Sequence, residues 1–139
     1  MADMDSLDKQ HVMIRDYVKD IIEIVGKNDL DNTASEVAKI ISTLSGRLKI
    51  HLQTEDKFLY PKLLTDNNAE IRKTTELYIK EMGNISTEFE NYKNQFNTRS
   101  KICADIENFK KQTKLIFQVL GKRLDQEDGH LYPMIRKQV

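Results

Sequence analysis

The sequence predicts an all-α protein, an up-down-up-down antiparallel four-helix bundle that forms a single domain over residues 1–139. Three observations carry that prediction. With 39% apolar and 32% charged residues but only two prolines and five glycines, the composition suits amphipathic helices better than a sandwich or a disordered tail. Apolar residues recur at alternating three- and four-residue intervals in four stretches, separated by short polar segments. Finally, Leu52, Glu55, Asp56, Leu59, Tyr60 and Pro61 return 72 residues later as Leu124, Glu127, Asp128, Leu131, Tyr132 and Pro133, so the second and fourth helices are related halves.

The first helix is expected from about Ser6 to Gly26, with Leu7, His11, Ile14, Val18, Ile21 and Val25 along one stripe. The second starts near Asp31 or Asn32, either of which can cap it, and runs past Glu55 toward Leu64, kinked or ended by Pro61. Its stripe is Val37, Ile41, Leu44, Leu48, His51, Glu55 and Phe58. A third helix follows Thr65-Asp-Asn-Asn68 and carries Ile71, Thr75, Tyr78, Met82, Ile85, Phe89, Tyr92 and Phe96, stopping near Asn97. The fourth begins between Thr98 and Ser100 and continues through Ile102, Ile106, Phe109, Thr113, Ile116, Leu120, Arg123 and Glu127 to His130. Gly83, inside the third helix, costs about 1 kcal/mol relative to alanine, and close helix approach is the expected compensation.

Charge and cysteine usage exclude several classes. Lysine plus arginine equals aspartate plus glutamate, 22 of each, and no basic stripe is present to neutralise phosphates, so nucleic acid is not an expected partner. A single cysteine, Cys103, excludes an internal disulfide and fits a reducing compartment; it lies about 30 Å along the fourth helix from Arg123 at 1.5 Å per residue. The acidic start Met-Ala-Asp-Met-Asp has no apolar signal region, and no later run is long enough for a membrane span, so a cytoplasmic location is expected.

Chemistry concentrates in His51-Leu-Gln-Thr-Glu55. Four residues is close to one helical turn, so the imidazole and the carboxylate project from the same face, inside an apolar stripe. Buried there, they are costly unless they pair, hydrogen-bond or hold a metal. Glu127 must reach the same depth from the opposite corner, and His11 meets it from an antiparallel first helix; carboxylates facing each other across a bundle suit a metal centre.

These residues resemble the hemerythrin-like HHE cation-binding domains across nearly the whole chain: a histidine early in the first helix, His51-x-x-x-Glu55-Asp56 with Leu59-Tyr60-Pro61, and a second copy ending the fourth helix. The resemblance implies an iron centre in which two oxo-bridged ions are held by histidines and two bridging carboxylates. It also implies oxygen binding, sensing of oxygen, nitric oxide or iron, or a part in iron metabolism and iron–sulfur repair. Two departures alter the implied site. Arg123 stands where the fourth helix should offer a histidine, and the third helix has none. Similarity to the family's third-helix segment puts Met82 at the histidine position, whereas counting depth along the helix favours Tyr78. Tyrosinate binds ferric iron; a thioether is a poor ligand for a hard ion.

In the implied arrangement the first- and second-helix histidines serve one metal. His11, His51, Glu55 and Glu127 would therefore keep one position whole, suited to iron or to Mn or Zn, while the other is vacated. Arg123 then replaces the lost cation, pairing with Glu127 along the helix and with Glu55 across the bundle. The metal-free alternative uses the same residues as a buried Arg–Glu network in an interaction bundle. A more remote one, histidine phosphotransfer, wants an exposed histidine followed by Lys-Gly, which His51-Leu-Gln lacks. His130 mimics the Glu-x-x-His of other di-metal bundles, but its repeat mate is Phe58, which marks a packing slot. Tyr60 and Tyr132 are expected to close the bundle end with their hydroxyls at the surface, and Asp56 and Asp128 to be solvated or hydrogen-bonded around the site. No substrate is indicated, so the chain reads as a non-enzymatic module for a small ligand such as O2 or NO, or for the metal itself, acting through an unidentified partner protein; oxygen activation at a single ferrous ion with an open position is the enzymatic alternative.

Overall fold

The computed structural model describes residues 2–136, all of them in helices or the short turns that join them. Helix α1 spans Ala2–Gly26, longer at its start than periodicity suggests, and α2 spans Leu30–Thr54. The turn between them uses Asn28 at φ 55°, a left-handed conformation that asparagine tolerates better than most residues. Asp29, not Asp31 or Asn32, occupies the N-cap of α2, where its carbonyl accepts from Asn32 and Thr33. Helix α4 spans Ala69–Phe96, and the Asn68 side chain accepts from the Glu70 amide to cap it. The expected fourth helix is two pieces, α5 (Arg99–Cys103) and α6 (Ile106–Gln126). Asp105 interrupts them because its side chain captures the Asn108 amide, a local bond that competes with helix continuation.

The helix that Pro61 was expected to kink or end instead continues, by widening. Between Glu55 and Leu59 the backbone makes a π turn, closed by the Tyr60 amide on the Glu55 carbonyl, and α3 (Tyr60–Leu64) follows. A proline lacks the amide proton and its ring collides with the carbonyl four residues back, so an extra residue in the turn before Pro61 relieves both problems. The same device recurs 72 residues on, in the π turn Glu127–Leu131 and α7 (Tyr132–Arg136) before and around Pro133. The repeat is therefore conformational as well as sequential.

Packing is pairwise around a bundle: α1 against α2 and α6, α2 against α4, α4 against α6, and α3 against α4. One apolar cluster fills most of its length, from Ile21, Leu30 and the aromatic group Phe89, Tyr92, Phe96 and Phe109 to Leu48, Leu120 and Leu124. A second, smaller cluster of Leu7, Leu59, Tyr60, Leu63, Leu131, Tyr132 and Ile135 closes the other end. Gly83 makes no close helix approach, since a Cβ built there meets nothing within 4 Å. Cys103 is half-buried and packs at the edge of the larger cluster. Among the described residues no helix is long and apolar enough to cross a membrane.

Candidate metal centre

Between the two apolar clusters lies a polar layer. On α1 it is bounded by Leu7 and Ile14, on α2 and its π turn by Leu48 and Leu59, and on α6 and its π turn by Leu120 and Leu131. His11, His51, Glu55, Arg123 and Glu127, all predicted from the sequence, are buried in this layer. Among the described residues, the second cluster covers the centre toward the bundle end.

His11 Nε2 lies 2.7 Å and His51 Nε2 3.0 Å from Glu127 Oε1, while His51 Nε2 is 3.4 Å from Glu55 Oε2 and 3.3 Å from His11 Nε2. Each imidazole is oriented from behind. His51 Nδ1 donates to Gln10 Oε1 at 2.9 Å, and the Gln10 amide is fixed by donating to Thr54 Oγ1 at 3.0 Å. His11 Nδ1 donates to Asp128 Oδ1 at 2.7 Å, and Arg15 Nη2 holds the other Asp128 oxygen at 2.9 Å. With Nδ1 so engaged, the neutral form of each ring turns its Nε2 lone pair toward the carboxylates, the tautomer that a metal-ligating histidine takes, whereas the protonated form of His51 donates from Nε2 to Glu127. Of the two aspartates, Asp128 is thus the hydrogen-bonded one. Its repeat mate Asp56 is exposed, and α4 offers no histidine for it to hold.

The π turns correct the sequence reading of what lies beyond each glutamate. In a regular α-helix Phe58 and His130 would sit under Glu55 and Glu127. With one extra residue in the turn, the face passes instead to Leu59 and Tyr60, and to Leu131 and Tyr132. Phe58 is 37% exposed, so it does not mark a packing slot, and His130 is at the surface, where its Nδ1 meets the Tyr78 hydroxyl at 2.7 Å. The tyrosines do not end at the surface either. Tyr132 Oη lies 3.0 Å from Glu55 Oε2, 3.2 Å from Glu127 Oε1 and 3.0 Å from His11 Nε2. Tyr60 donates to Glu55 Oε1 at 3.2 Å. Each of these residues is a tyrosine five positions after a buried glutamate and just before a proline, a signal that needed the π turn to be read.

Arg123, 1% exposed, donates from Nε to Glu127 Oε2 at 2.9 Å and from Nη2 to the Tyr60 hydroxyl at 3.2 Å. It meets Glu55 through Tyr60 rather than by the direct pairing the sequence suggested. The ring of Tyr78 covers its guanidinium, 4.6 Å from Cζ to centroid, while its hydroxyl meets His130. Nη1 is buried, has no hydrogen-bond partner among the described residues and lies 3.8 Å from Glu81 Oε2. Met82 is buried farther along, in a small cleft with Leu48, Leu52 and Phe89.

Electrostatics follow from this packing. Burial alone would lower the His51 imidazole, but hydrogen bonds and charge from Glu127 and Glu55 outweigh it and raise it to about 10. Burial and the charge of Glu127 push Glu55 up, against the opposing pull of His51. Burial works to raise Glu127 too, yet its bonds to His11 and His51 and the charge of Arg123 hold it well below the ordinary carboxylate range. Burial and the two carboxylates raise the Tyr60 and Tyr132 phenols. Burial opposes the charge on Arg123, but Glu127 and Tyr60 more than restore it.

One donor atom from each of His11, His51, Glu55 and Glu127 lies within 4.8 Å of the others, a buried group that could hold a metal ion. Separations of roughly 3 Å are those of neighbouring ligands around an ion with bonds of about 2.0–2.1 Å. The donor set therefore fits a metal ion, and Arg123 and Tyr60 bond the remaining oxygens of the two carboxylates, Glu127 Oε2 and Glu55 Oε1. The Hemerythrin HHE cation binding domain matches residues 3–135. The chain belongs to the hemerythrin HHE family. Neither the curated proteins nor the solved structures provide a match. In the polar layer of this hemerythrin family member, one half of the repeat places His51 where the other places Arg123.

Proposed function

We propose that this chain is a non-enzymatic iron-binding module with a single metal position, built on an up-down-up-down antiparallel bundle that forms one domain. The observation that carries it is the outward anchoring of both Nδ1 atoms, which turns two imidazole lone pairs toward two buried carboxylates. Lone pairs arranged in this way repel one another unless a metal ion or a proton sits among them. Iron supplies there an electrophilic, redox-active centre for a small ligand such as O2 or NO, and Mn(II) or Zn(II) suits the same donors. His11 and His51 bind through Nε2, and Glu55 and Glu127 through the oxygens that face them. Arg123 balances the carboxylates on the side where the family's second ion belongs, and Tyr78 shields it from water. The seal of Leu59, Leu131 and Tyr132 excludes bulk solvent, favouring a small uncharged ligand over a charged substrate. The module acts in the cytoplasm, in sensing of oxygen, nitric oxide or iron or in iron handling, with its output carried by a partner protein.

A second reading has a specific observation in its favour. With His51 raised to about 10, its imidazolium and the Arg123 guanidinium can face Glu55 and Glu127 without any metal. The two readings separate on metal analysis of protein purified without oxygen. One equivalent of iron in the parent, lost in His51→Ala and retained in His130→Ala, is the expected result. Metal-free parent protein that also refuses added Fe(II) would establish the ion-pair network instead.

A further inference from the structure

Tyr132 Oη stands among the metal donors at the same spacing they keep from one another. It is 3.0 Å from His11 Nε2 and Glu55 Oε2 and 3.2 Å from Glu127 Oε1, within the 2.7–3.4 Å range of the histidine and carboxylate contacts. A phenol has one proton, and three acceptors surround it, two of them carboxylate oxygens. One proton satisfies one of them.

The other half of the repeat shows what this tyrosine does beside a cation. Tyr60 is the mate of Tyr132, Glu55 of Glu127, and His51 of Arg123. Tyr60, from the first half, turns its oxygen to the guanidinium of Arg123 in the second half and accepts from Nη2 at 3.2 Å. The symmetry-related oxygen, Tyr132 Oη in the second half, meets His11 Nε2, Glu55 Oε2 and Glu127 Oε1. On the single-metal reading, the cation beside it is the ion that those residues and His51 hold.

We propose that Tyr132 Oη is a further donor to the bound ion, making the set two histidines, two carboxylates and one phenolate, and directing the site to ferric iron. This rests on the single-metal reading above. On coordination the Oη–H bond breaks, an oxygen–iron bond forms and the proton leaves to solvent, with no change of oxidation state when iron is supplied as Fe(III). Three anionic oxygens form a hard donor set, which suits a trivalent ion better than softer divalent ones. Tyr78, whose hydroxyl is turned outward to His130, and Tyr60, whose oxygen is spent on Arg123, are excluded from this role by their contacts.

The test loads the full chain with Fe(III) nitrilotriacetate and measures bound iron, the visible spectrum and resonance Raman scattering in the parent, Tyr132→Phe, Tyr60→Phe and Tyr78→Phe. Zn(II) uptake by each variant reports that the rest of the site has assembled. The parent should hold one iron and show a phenolate-to-Fe(III) charge-transfer band with enhanced tyrosine ring modes. Tyr132→Phe should lose that band while still taking up Zn(II), and the other two variants should keep it. A band that survives in Tyr132→Phe overturns the assignment. One bound iron with no phenolate band in the parent overturns it too, while leaving the single-metal reading intact. A parent that takes up neither Fe(III) nor Fe(II) overturns both.

Discussion

Arg123 occupies a position where the repeat has a histidine, and its surroundings explain how a guanidinium can be buried there. Glu127 pairs with it, the Tyr60 hydroxyl accepts from it and the Tyr78 ring lies over it. Such an arrangement is strongly destabilised when one partner alone is removed, because the remaining charges lose their compensation. Arg123→Ala should lower stability by about 3–5 kcal/mol, read from denaturant unfolding of metal-free protein. An unfolding midpoint equal to the parent's would show that the guanidinium is not compensating the carboxylates. Arg123→His should add uptake of a second metal equivalent only in part, since α4 still supplies no histidine and Tyr78 is bonded outward to His130. Titration of Fe(II) without oxygen measures it; unchanged stoichiometry and unchanged affinity would mean that the vacated side cannot be rebuilt from α6 alone.

The π turns are the elements on which the centre depends. They let two helices run through proline and rotate the following residue by one position. In consequence tyrosines rather than Phe58 and His130 meet the glutamates. Without this rotation the hydroxyls would be replaced by a phenyl and an imidazole, and Arg123 would lose its link to Glu55. Elsewhere the helices are less constrained. Gly83 lies within α4 at an ordinary negative φ, and a Cβ there meets nothing within 4 Å. Gly83→Ala should therefore stabilise the fold by about 1 kcal/mol, the helix-propensity difference, with metal binding unchanged. Thermal or denaturant unfolding decides it, and a loss of stability would reveal a helix contact at this position.

At the scale of the whole molecule, the polar layer divides the core and makes stability depend on its protons. The His51 imidazole is raised from 6.5 to about 10, so between these values the folded chain retains a proton that the unfolded chain has released. That contribution is complete below 6.5 and is lost as pH rises toward about 10. Glu127 works in the opposite sense: its folded value lies well below 4.5, so its contribution is present above 4.5 and lost as pH falls through the folded value. In chelator-treated protein the unfolding midpoint should fall as pH is raised across the His51 window, and His51→Ala should flatten the decline. Metal uptake should instead improve over the same window, because the ion displaces the imidazole proton. A parent profile as flat as that of His51→Ala would show that this proton is not held in the fold.

By itself the sequence determined the helical class, the stripes, and the convergence of His11, His51, Glu55, Arg123 and Glu127, because helical periodicity is local and a buried polar residue in an apolar stripe announces itself. Only the tertiary structure decided where Tyr60, Tyr132, Phe58 and His130 go. Their placement turns on one extra residue in the backbone before each proline, and a period of 3.6 extrapolated through that point selects the wrong face. The break at Asp105 escaped for a related reason, since Ile102 and Ile106 keep helical spacing across it while the Asp105 side chain takes the amide that would have continued the helix. Which aspartate supports a histidine was likewise settled in three dimensions: Asp128 reaches His11 on a helix distant in sequence, and the pairing depends on how α1 packs against the end of α6.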